Sequence, residues 1–488
     1  MTNTAFLETA EKLKPVLYRH IKECRFDSVA LRQGETFCAD MGEHLVGYVT
    51  LTLGVTGQHP DAPAWLQLRF AERRCELDEK AEHYHGWISP AWIQQEQLHV
   101  DVLPTTIRLP RRYAFRYLQI EALAGSDHWK VTVERIDCET VSSADWTVLP
   151  AYKTEDAELQ RLDKIACKTL HDCMQQVFED GPKRDRRLWL GDLRLQALAN
   201  YETFRQYDLV KRCLYLFAGS TLSDGQIGAG MFTAPRVQVD MAPMFDYSLL
   251  FVPTLLDYFN ATKDTGTLRE LWPTALEQIR LASRRFDEQN IVRDGMVLGW
   301  CFIDWNLQLN RQASAQGVYL YCVRAAEHLA AYLNDRQTEA WLCEEYAQKR
   351  SAAEKVLYAP SQGLFVSGKE RQVSWASQIW MVLGGAADAQ VLDAVAKWDN
   401  AIGITTPYLY HHYVQALLDT GRRAQALNAI REYWGSMAKS CADTFWELYR
   451  PDAPDASPYG GTLVNSYCHA WSCGPAYFLR RYFSRGKP

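Results

Sequence analysis

The sequence predicts a two-domain chain, with an antiparallel β-sandwich over residues 1–150 and an (α/α)6 toroid over residues 151–488. Three observations predict this fold class. The chain of 488 residues is too long for one ordinary core. Apolar and polar residues alternate in the first domain, as in half-buried strands. From about Lys153 the apolar residues recur every three or four positions, as on one face of a helix.

Four segments of the first domain are predicted as strands, because they are rich in β-branched and aromatic residues and are bounded by Gly, Pro, Asp and Ser. They are Leu45–Thr52, His99–Leu109, Tyr113–Leu123 and Trp129–Ile136. A short helix, broken at Pro15, is expected within the first 20 residues.

Ten segments of the second domain are predicted as helices. They are Lys153–Glu179, Tyr207–Ala218, Ser248–Ala261, Leu268–Phe286, Ser314–Leu333, Thr338–Leu357, Val373–Leu383, Tyr408–Leu418, Ala424–Trp434 and Val464–Phe483. Thr406 before Pro407 predicts a helix start, and Gly421 predicts the stop. About a dozen helices joined by alternating short and long loops are typical of a toroid. A helical solenoid is the alternative, but no fixed repeat period supports it.

Composition excludes several classes of function. A net charge of −6 leaves no basic footprint for nucleic acid. No stretch approaches the roughly 18 apolar residues of a membrane span, and the first residues do not form a secretory signal. The 13 cysteines have no regular spacing, so we expect reduced thiols in a cytoplasmic protein, with no metal and no cofactor. The 16 Trp, 25 Tyr and 18 Phe suit stacking on sugar rings, although a large core also explains them.

One segment, from Phe178 to Asp192, concentrates charge between two predicted helices (FEDGPKRDRRLWLGD). Loops at helix ends are where toroids place their sites, and charges this dense shift carboxyl pKa values. The segment is therefore a candidate active-site loop. The alternative is that Asp180 and Asp192 cap helices and that the rest is a solvated turn.

Three later segments combine a polar side chain with aromatic neighbours. Glu447 stands in DTFWELY, where apolar surroundings raise a carboxyl pKa towards general acid–base work. His469 stands in CHAWSCGP, and Trp300 and Trp305 flank CFID. Ordinary core packing is the alternative for each. The Gly-rich segment 224–230 does not fit a nucleotide-binding fingerprint and is expected to form a pocket rim.

The four segments together, in their order along the chain, resemble glycoside hydrolase family 78, the α-L-rhamnosidases, over roughly residues 150–485. The family pattern has an acid, an arginine before a second acid, then a tryptophan and a third acid. Here these are Asp180, Arg184, Asp185, Trp189 and Asp192. The match implies an (α/α)6 toroid and a single-displacement hydrolysis with inversion, which needs one general acid and one general base.

By this resemblance Asp185 stands at the general-acid position and Glu447 at the base position. The remaining implied site residues bind or line the pocket for rhamnose: Asp180, Arg184, Trp189, Asp192, Tyr247, Trp305 and His469. The acid position is often Glu in the family, so Asp192 stays an alternative proton donor. Arginines on both sides of Asp185 are expected to lower its pKa unless they point elsewhere.

The predicted substrate is a small rhamnoside, such as a flavonoid or oligosaccharide glycoside. A compact form without most accessory β domains is expected, and the exposed toroid surface suggests a possible homodimer. The competing functions are a toroid glycosidase for another sugar, a non-catalytic sugar-binding protein, and a polysaccharide lyase. The retained acids disfavour the binding protein, and the net charge of −6 does not favour a lyase for uronates.

Overall fold

The computed structural model describes residues 2–239, 243–295 and 299–484. An antiparallel β-sheet domain is followed by a helical domain, which confirms the predicted order of the two fold types. The last four residues of the predicted second domain, 485–488, lie outside the described residues.

Eight strands form the main sheet of the N-terminal domain. They are β1 (Tyr18–Glu23), β2 (Val29–Leu31), β3 (Thr36–Gly57), β4 (Ala64–Ala71), β5 (Gln95–Val100), β6 (Thr105–Arg108), β7 (Tyr113–Ala124) and β8 (Trp129–Ser142). All pairings are antiparallel, in the order β1-β8-β3-β7-β4-β5, with β2 on β8 and β6 on β3. Three of the four predicted strands lie within β3, β7 and β8. The predicted strand His99–Leu109 is wrong as one element, because residues 101–104 interrupt it and separate the end of β5 from β6.

The long strand β3 organises this sheet. Its first part pairs with β7 and its second part with β6 and β8, and the register shifts between Asp40 and Leu45. One buried hydrophobic cluster draws side chains from β2, β3, β4, β5, β7 and β8. The predicted sandwich is therefore built from one continuous sheet whose strands share a single core.

Thirteen helices are present in the described part of the chain, in the following order. They are α1 (Thr4–Lys12), α2 (Ala157–Cys173), α3 (Leu190–Glu202), α4 (Tyr207–Gly219), α5 (Phe245–Thr262), α6 (Thr265–Ser283), α7 (Gln312–Leu333), α8 (Arg336–Ala352), α9 (Trp375–Leu383), α10 (Gln390–Val395), α11 (Pro407–Asp419), α12 (Arg423–Lys439) and α13 (Gly474–Tyr482). Two small sheets complete the domain: β9 (Leu188–Trp189), β10 (Gly230–Phe232) and β11 (Gln238–Val239), then β12 (Tyr358–Ala359), β13 (Leu364–Ser367) and β14 (Gln372–Val373).

The helices form the predicted toroid. Helices α3, α5, α7, α9, α11 and α13 contact one another in sequence as an inner ring. His411 of α11 stacks on Tyr477 of α13, and α13 returns to α3, which closes the ring. The intervening helices α2, α4, α6, α8, α10 and α12 pack outside it. Helix α1 lies on α4, where the backbone N–H of Asn3 donates to the carbonyl oxygen of Gly219 at 2.9 Å.

Local end signals are confirmed at one helical hairpin. The Thr406 side chain accepts a hydrogen bond from the backbone N–H of Leu409 at the start of α11, next to Pro407. Gly421, with φ 76°, follows the end of the same helix.

Two predicted helices are too long. Lys153–Glu179 is helical only to Cys173, because Met174 is extended and its carbonyl accepts a hydrogen bond from Ser143. Val464–Phe483 becomes an α-helix only at Gly474, with Pro475 in the first turn. The segments removed from these helices become loops that lie at one end of the toroid. The domain boundary near residue 150 stays a prediction, between the end of β8 and the start of α2.

Helices α7 and α9 approach each other closely at Gly317. An added Cβ there would lie 2.5 Å from the backbone carbonyl carbon of Trp380. We expect Gly317→Ala to lower the melting temperature, because overpacking costs about 1–3 kcal/mol and exceeds the gain of about 0.5–1 kcal/mol from replacing a helical glycine. Thermal unfolding followed by circular dichroism measures this.

The matched control is Gly435→Ala in α12. Its Cβ would meet only the flexible Glu158 side chain, at 3.2 Å from Oε1. An unchanged or higher melting temperature for Gly317→Ala would contradict the close helix approach.

Candidate active site

A cavity of about 380 Å³ opens at one end of the toroid. All nine site residues expected from the sequence line it: Asp180, Arg184, Asp185, Trp189, Asp192, Tyr247, Trp305, Glu447 and His469. They come from the loop between α2 and α3, the first turns of α3 and α5, the loop before α7, and the loop between α12 and α13. Inner-ring helices therefore present their N-terminal ends and preceding loops to a common space.

The buried guanidinium of Arg184 links the two predicted catalytic carboxylates. Its Nη1 donates to Asp185 Oδ1 at 3.1 Å, and its Nη2 donates to Glu447 Oε2. Its Nε donates to the carbonyl oxygen of Val464 at 2.9 Å. The guanidinium also lies 4.0 Å from the ring centre of Tyr459, whose hydroxyl donates to Glu447 Oε1. One side chain thus sets the separation of both carboxylates.

The two arginines beside Asp185 point in different directions. Arg186 turns away, since its Nε donates to the carbonyl of Pro182 at 2.8 Å and its Nη2 to that of Arg112 at 2.9 Å. Of these two arginines, Arg184 is the one that contacts the Asp185 carboxylate. The Asp185 side chain is 19% exposed, whereas the Glu447 side chain is 7% exposed.

Asp180 holds the loop that carries Arg184 and Asp185. Its carboxylate accepts the backbone N–H of Asp185 at 3.3 Å and that of Arg187 at 3.1 Å. Burial, together with the nearby charge of Asp185, raises the pKa of Asp180 to about 8. The alternative of helix caps in a solvated turn is wrong for this segment: Asp180 is buried within a loop, and Asp192 follows the cap position, which Trp189 occupies.

Asp192 lies deeper, between Tyr247 and His469. The Tyr247 hydroxyl donates to Asp192 Oδ2 at 3.2 Å, and His469 Nδ1 lies 3.8 Å from Asp192 Oδ1. Burial and the nearby Asp180 raise the pKa of Asp192 well above its usual range, whereas burial and Arg184 lower that of His469 well below its usual range. Burial therefore disfavours the charged form of both side chains.

Three polar atoms on the cavity wall have no protein partner among the described residues. They are Asp192 Oδ1, His469 Nδ1 and Trp305 Nε1. Buried polar groups are normally hydrogen-bonded, and an unpaired one costs about 1–3 kcal/mol. These buried atoms leave hydrogen-bonding capacity unused beside the cavity.

Glu447, in the segment DTFWELY, also has a raised pKa. Burial raises the pKa of Glu447, while Arg184 and the Tyr459 hydroxyl oppose that rise. The backbone N–H of Glu447 donates to the carbonyl of Ser466 at 3.0 Å, and Trp471 Nε1 donates to the carbonyl of Glu447 at 2.9 Å. These contacts fix the glutamate to the loop before α13.

Sequence reasoning missed several residues of the cavity wall. The β domain contributes a loop that contains Trp87, Ile88, Ser89 and Trp92, and the toroid adds Tyr459, Met244 and Arg187. Two tryptophans within a loop rich in Gly, Ser and Pro (HGWISPAW) were the available signal.

The segment 224–230 was expected at the pocket rim. Gly230 packs against the Trp189 ring, while Asp224 and Gln226 line a separate cavity of about 210 Å³.

A buried ion network joins the two domains beneath this cavity. Lys183 Nζ lies 2.7 Å from Glu76 Oε2 and 3.4 Å from Glu72 Oε2, and both glutamates come from the β domain. Glu72 also accepts the backbone N–H of Tyr467 at 2.7 Å. Lys183 directly precedes Arg184, so the β domain anchors the active-site loop.

His44 extends the network. Its Nε2 lies 3.1 Å from Glu72 Oε1 and its Nδ1 lies 2.7 Å from Asp172 Oδ2. His44, Asp172 and Cys468 stand close enough together to hold an ion. Because both ring nitrogens already face carboxylates, His44 has no lone pair for a metal, and the arrangement fits an ion-pair network.

Two family models match nearly the whole chain. The model for the glycosyl hydrolase family 78 alpha-rhamnosidase N-terminal domain matches residues 8–140. The model for the bacterial alpha-L-rhamnosidase 6 hairpin glycosidase domain matches residues 150–483, which is more than half of the chain. The chain belongs to glycoside hydrolase family 78. The predicted family and enzyme class, an α-L-rhamnosidase-type glycoside hydrolase, are therefore confirmed.

Solved structures of family 78 proteins share the fold. A rhamnosidase from Klebsiella oxytoca, solved with rhamnose bound, is 45% identical over 99% of both chains, with a TM-score of 0.96. A family 78 rhamnosidase of Bacillus sp. GL1 is 20% identical, with a TM-score of 0.80 over 93% of this chain and 47% of its own. The Streptomyces avermitilis α-L-rhamnosidase complexed with L-rhamnose is 17% identical, with a TM-score of 0.68 over 96% and 44%. No curated protein matches the chain.

The ion network makes the stability of this family 78 chain depend on pH. Burial lowers the pKa of His44, but Cys468, Asp172 and Glu72 raise it well above its usual value. The stabilisation from a raised pKa is complete below the unfolded-state value of about 6.5 and is lost as pH rises through the folded-state value. We expect His44→Leu to cost about 3–5 kcal/mol at pH 6, since it removes one charged partner from each of two buried carboxylates, Glu72 and Asp172.

The difference in unfolding free energy between wild type and His44→Leu should become smaller as pH rises towards 10. Urea unfolding of both proteins at several pH values measures this difference. The control is His20→Leu, because His20 is exposed on β1. A deficit that is constant from pH 6 to pH 10 would show that His44 contributes packing and no charge.

Proposed function

We propose that the protein hydrolyses terminal α-L-rhamnose from small rhamnosides with inversion, using Asp185 as general acid and Glu447 as general base. One observation carries this proposal: two carboxylates face the same cavity and are joined through one guanidinium, that of Arg184. Inversion needs two carboxyl groups far enough apart to admit a water molecule. A shared arginine keeps that spacing constant.

Asp185 suits the role of acid better than Asp192 does. The Asp185 side chain is 19% exposed, so it reaches the open part of the cavity through which a leaving group departs. The Asp192 side chain is 3% exposed and accepts a hydrogen bond from Tyr247. We assign Asp192 to the sugar hydroxyls.

Glu447 suits the role of base because both of its oxygens receive hydrogen bonds, from Arg184 and Tyr459. Both donors favour the ionised carboxylate, while burial in apolar surroundings keeps it basic. A water molecule between Glu447 and the anomeric carbon would lose its proton to the carboxylate as the glycosidic bond breaks. Asp185 would give its proton to the departing oxygen.

The unpaired wall atoms support a sugar substrate. Hydroxyl groups of a rhamnose ring can donate to His469 Nδ1 and Asp192 Oδ1 and can accept from Trp305 Nε1. Asp180, Arg184, Trp189 and Tyr247 complete the proposed binding site. The rhamnose bound in the Klebsiella oxytoca protein supports the same type of ligand here.

Location and assembly are further parts of the proposal. We place the protein in the cytoplasm, because all 13 cysteines are unpaired, as expected in a reducing compartment. Among the described residues, no helix is both long and apolar enough to cross a membrane. A homodimer stays a prediction, and sedimentation that shows only monomer at micromolar concentration would remove it.

The activity lost on substitution of each carboxylate should depend differently on the leaving group of the substrate. We expect Asp185→Asn to lower kcat/KM at least about 100-fold on methyl α-L-rhamnoside, and less on 4-nitrophenyl α-L-rhamnoside, whose leaving group needs little protonation. Glu447→Gln should lower kcat/KM for both substrates by the same factor, which is also at least about 100-fold. NMR of the product formed first by wild type should show β-L-rhamnose.

Asp452→Asn, on an exposed loop of the same domain, serves as the control. A leaving-group dependence in Asp192→Asn but not in Asp185→Asn would transfer the acid role to Asp192. Cleavage of other glycosides but not rhamnosides would favour a toroid glycosidase for another sugar. Sugar binding without any hydrolysis would favour the non-catalytic alternative.

The Tyr459 hydroxyl is expected to set the pH at which the proposed base, Glu447, becomes ionised. This hydroxyl lowers the pKa of Glu447, so Tyr459→Phe removes that effect and raises the pKa of the carboxyl. A base must be ionised, and the acidic limb of the kcat/KM profile is therefore expected to move to higher pH in the variant. Tyr449→Phe, on a tyrosine outside the cavity wall, is the control. An unmoved acidic limb in Tyr459→Phe would argue against Glu447 as the base.

A further inference from the structure

The mouth of the active-site cavity differs chemically from its floor. The floor carries the buried polar groups, with Asp192 at 2% and His469 at 3% relative exposure. At the mouth stand two of the most exposed tryptophans of the described chain, Trp87 at 69% and Trp300 at 50%. Large apolar side chains left open to water beside a cavity mark a contact surface for a ligand.

Trp87 is held in place while its ring stays open. Its indole N–H donates to the carbonyl of Pro458 at 2.7 Å, and its ring centre lies 5.5 Å from that of Tyr459. Tyr459 also lines the cavity, so this contact fixes the tryptophan to the cavity wall. A ring whose orientation is already set loses little entropy when a ligand stacks on it.

The loop that carries Trp87 is fixed to the toroid. The Tyr84 hydroxyl donates to the carbonyl of Tyr459 at 2.9 Å. Tyr84 and Tyr459 also share a buried cluster with Leu463 and Val464, against which Ile88 and Trp92 pack. On the opposite segment, the carbonyl of Trp300 accepts the backbone N–H of Phe245 at 2.8 Å. Both exposed rings therefore stand on anchored backbone.

Several polar groups in the described part of this mouth already have protein partners, among them Asp185, which accepts a hydrogen bond from Arg184. The indole N–H of Trp87 is already used, and the Ser89 side chain accepts the backbone N–H of Ala91 at 3.2 Å. The neighbouring Ile88 and Met244 are apolar. A second sugar at this position would need partners for its hydroxyl groups, whereas a flat aromatic ring would need only the indole faces.

We propose that Trp87 and Trp300 form a leaving-group subsite for flat aromatic aglycones, so that the substrates are aryl rhamnosides in preference to rhamnosyl sugars. This inference rests on the proposed rhamnosidase function and extends it to the other side of the scissile bond. Trp87 comes from the β domain, which thereby contributes to substrate selection.

The test compares three substrates: 4-methylumbelliferyl α-L-rhamnoside, methyl α-L-rhamnoside and a rhamnosyl-glucose disaccharide. The readout is the ratio of kcat/KM for the first substrate to that for each of the others. We expect Trp87→Ala and Trp300→Ala each to lower both ratios about 3- to 10-fold, since aromatic stacking contributes about 0.5–1.5 kcal/mol beyond area burial. The loss should lie mainly in KM for the aryl substrate.

Trp87→Phe should keep most of the wild-type preference for the aryl substrate that Trp87→Ala loses, because phenylalanine keeps an aromatic face. Trp398→Ala, which removes an exposed tryptophan away from the cavity, should leave the ratio at the wild-type value. The inhibition constant of free rhamnose should be the same in Trp87→Ala as in wild type.

Three results would overturn the inference. The first is an equal loss on all three substrates together with weaker rhamnose inhibition, which would make these tryptophans part of the sugar site. The second is an equal loss on the aryl and disaccharide substrates, which would indicate a general ring-binding subsite. The third is unchanged ratios in both alanine variants. Failure of the proposed function has a separate signature, because wild type would then release rhamnose from none of the substrates.

Discussion

The buried guanidinium of Arg184 is the interaction on which the site depends. A charge removed from water is tolerated only with close partners, and its loss of one partner is costly. Arg184 satisfies this requirement with Asp185, Glu447 and the carbonyl of Val464, so it joins the loop after α2 to the loop before α13. The same requirement that keeps a cation inside the protein therefore sets the distance between two acids.

A second buried cation, Lys183, fixes the position of Arg184. Lys183 is held by Glu72 and Glu76 of the β domain. Burial raises the pKa of each of these two acids, and Lys183 lowers it. Burial dominates for Glu76, whose pKa rises to about 7, whereas the pKa of Glu72 is lowered. The β domain is thus more than an attached module, since its carboxylates fix the residue next to Arg184 and its Trp87 loop reaches the cavity mouth.

Hydrophobic periodicity was sufficient to predict the two fold types, and the resemblance to family 78 supplied the nine candidate residues that line one cavity. It was insufficient where burial removed the periodic pattern. Helix α3 is buried on almost every side, so it shows no apolar stripe, and it was not predicted. The residues before Gly474 were predicted as helix because Val464, Tyr467 and Trp471 recur at helical spacing, but these side chains are buried in a segment that is not α-helical. Trp87 was missed because nothing local indicates that a loop of one domain will meet the other.

The cavity wall draws on residues from Trp87 to Trp471, and the contact between Tyr84 and Tyr459 spans most of the chain. During synthesis the β domain and the first helices of the ring emerge long before Glu447 and the loop before α13. Closing such distant contacts is a late and slow event in folding. A nascent or truncated chain therefore has half of a site, with exposed tryptophans and unpaired buried charges. The contacts that assemble the active site are also those that complete the fold, so catalytic competence reports that folding has finished.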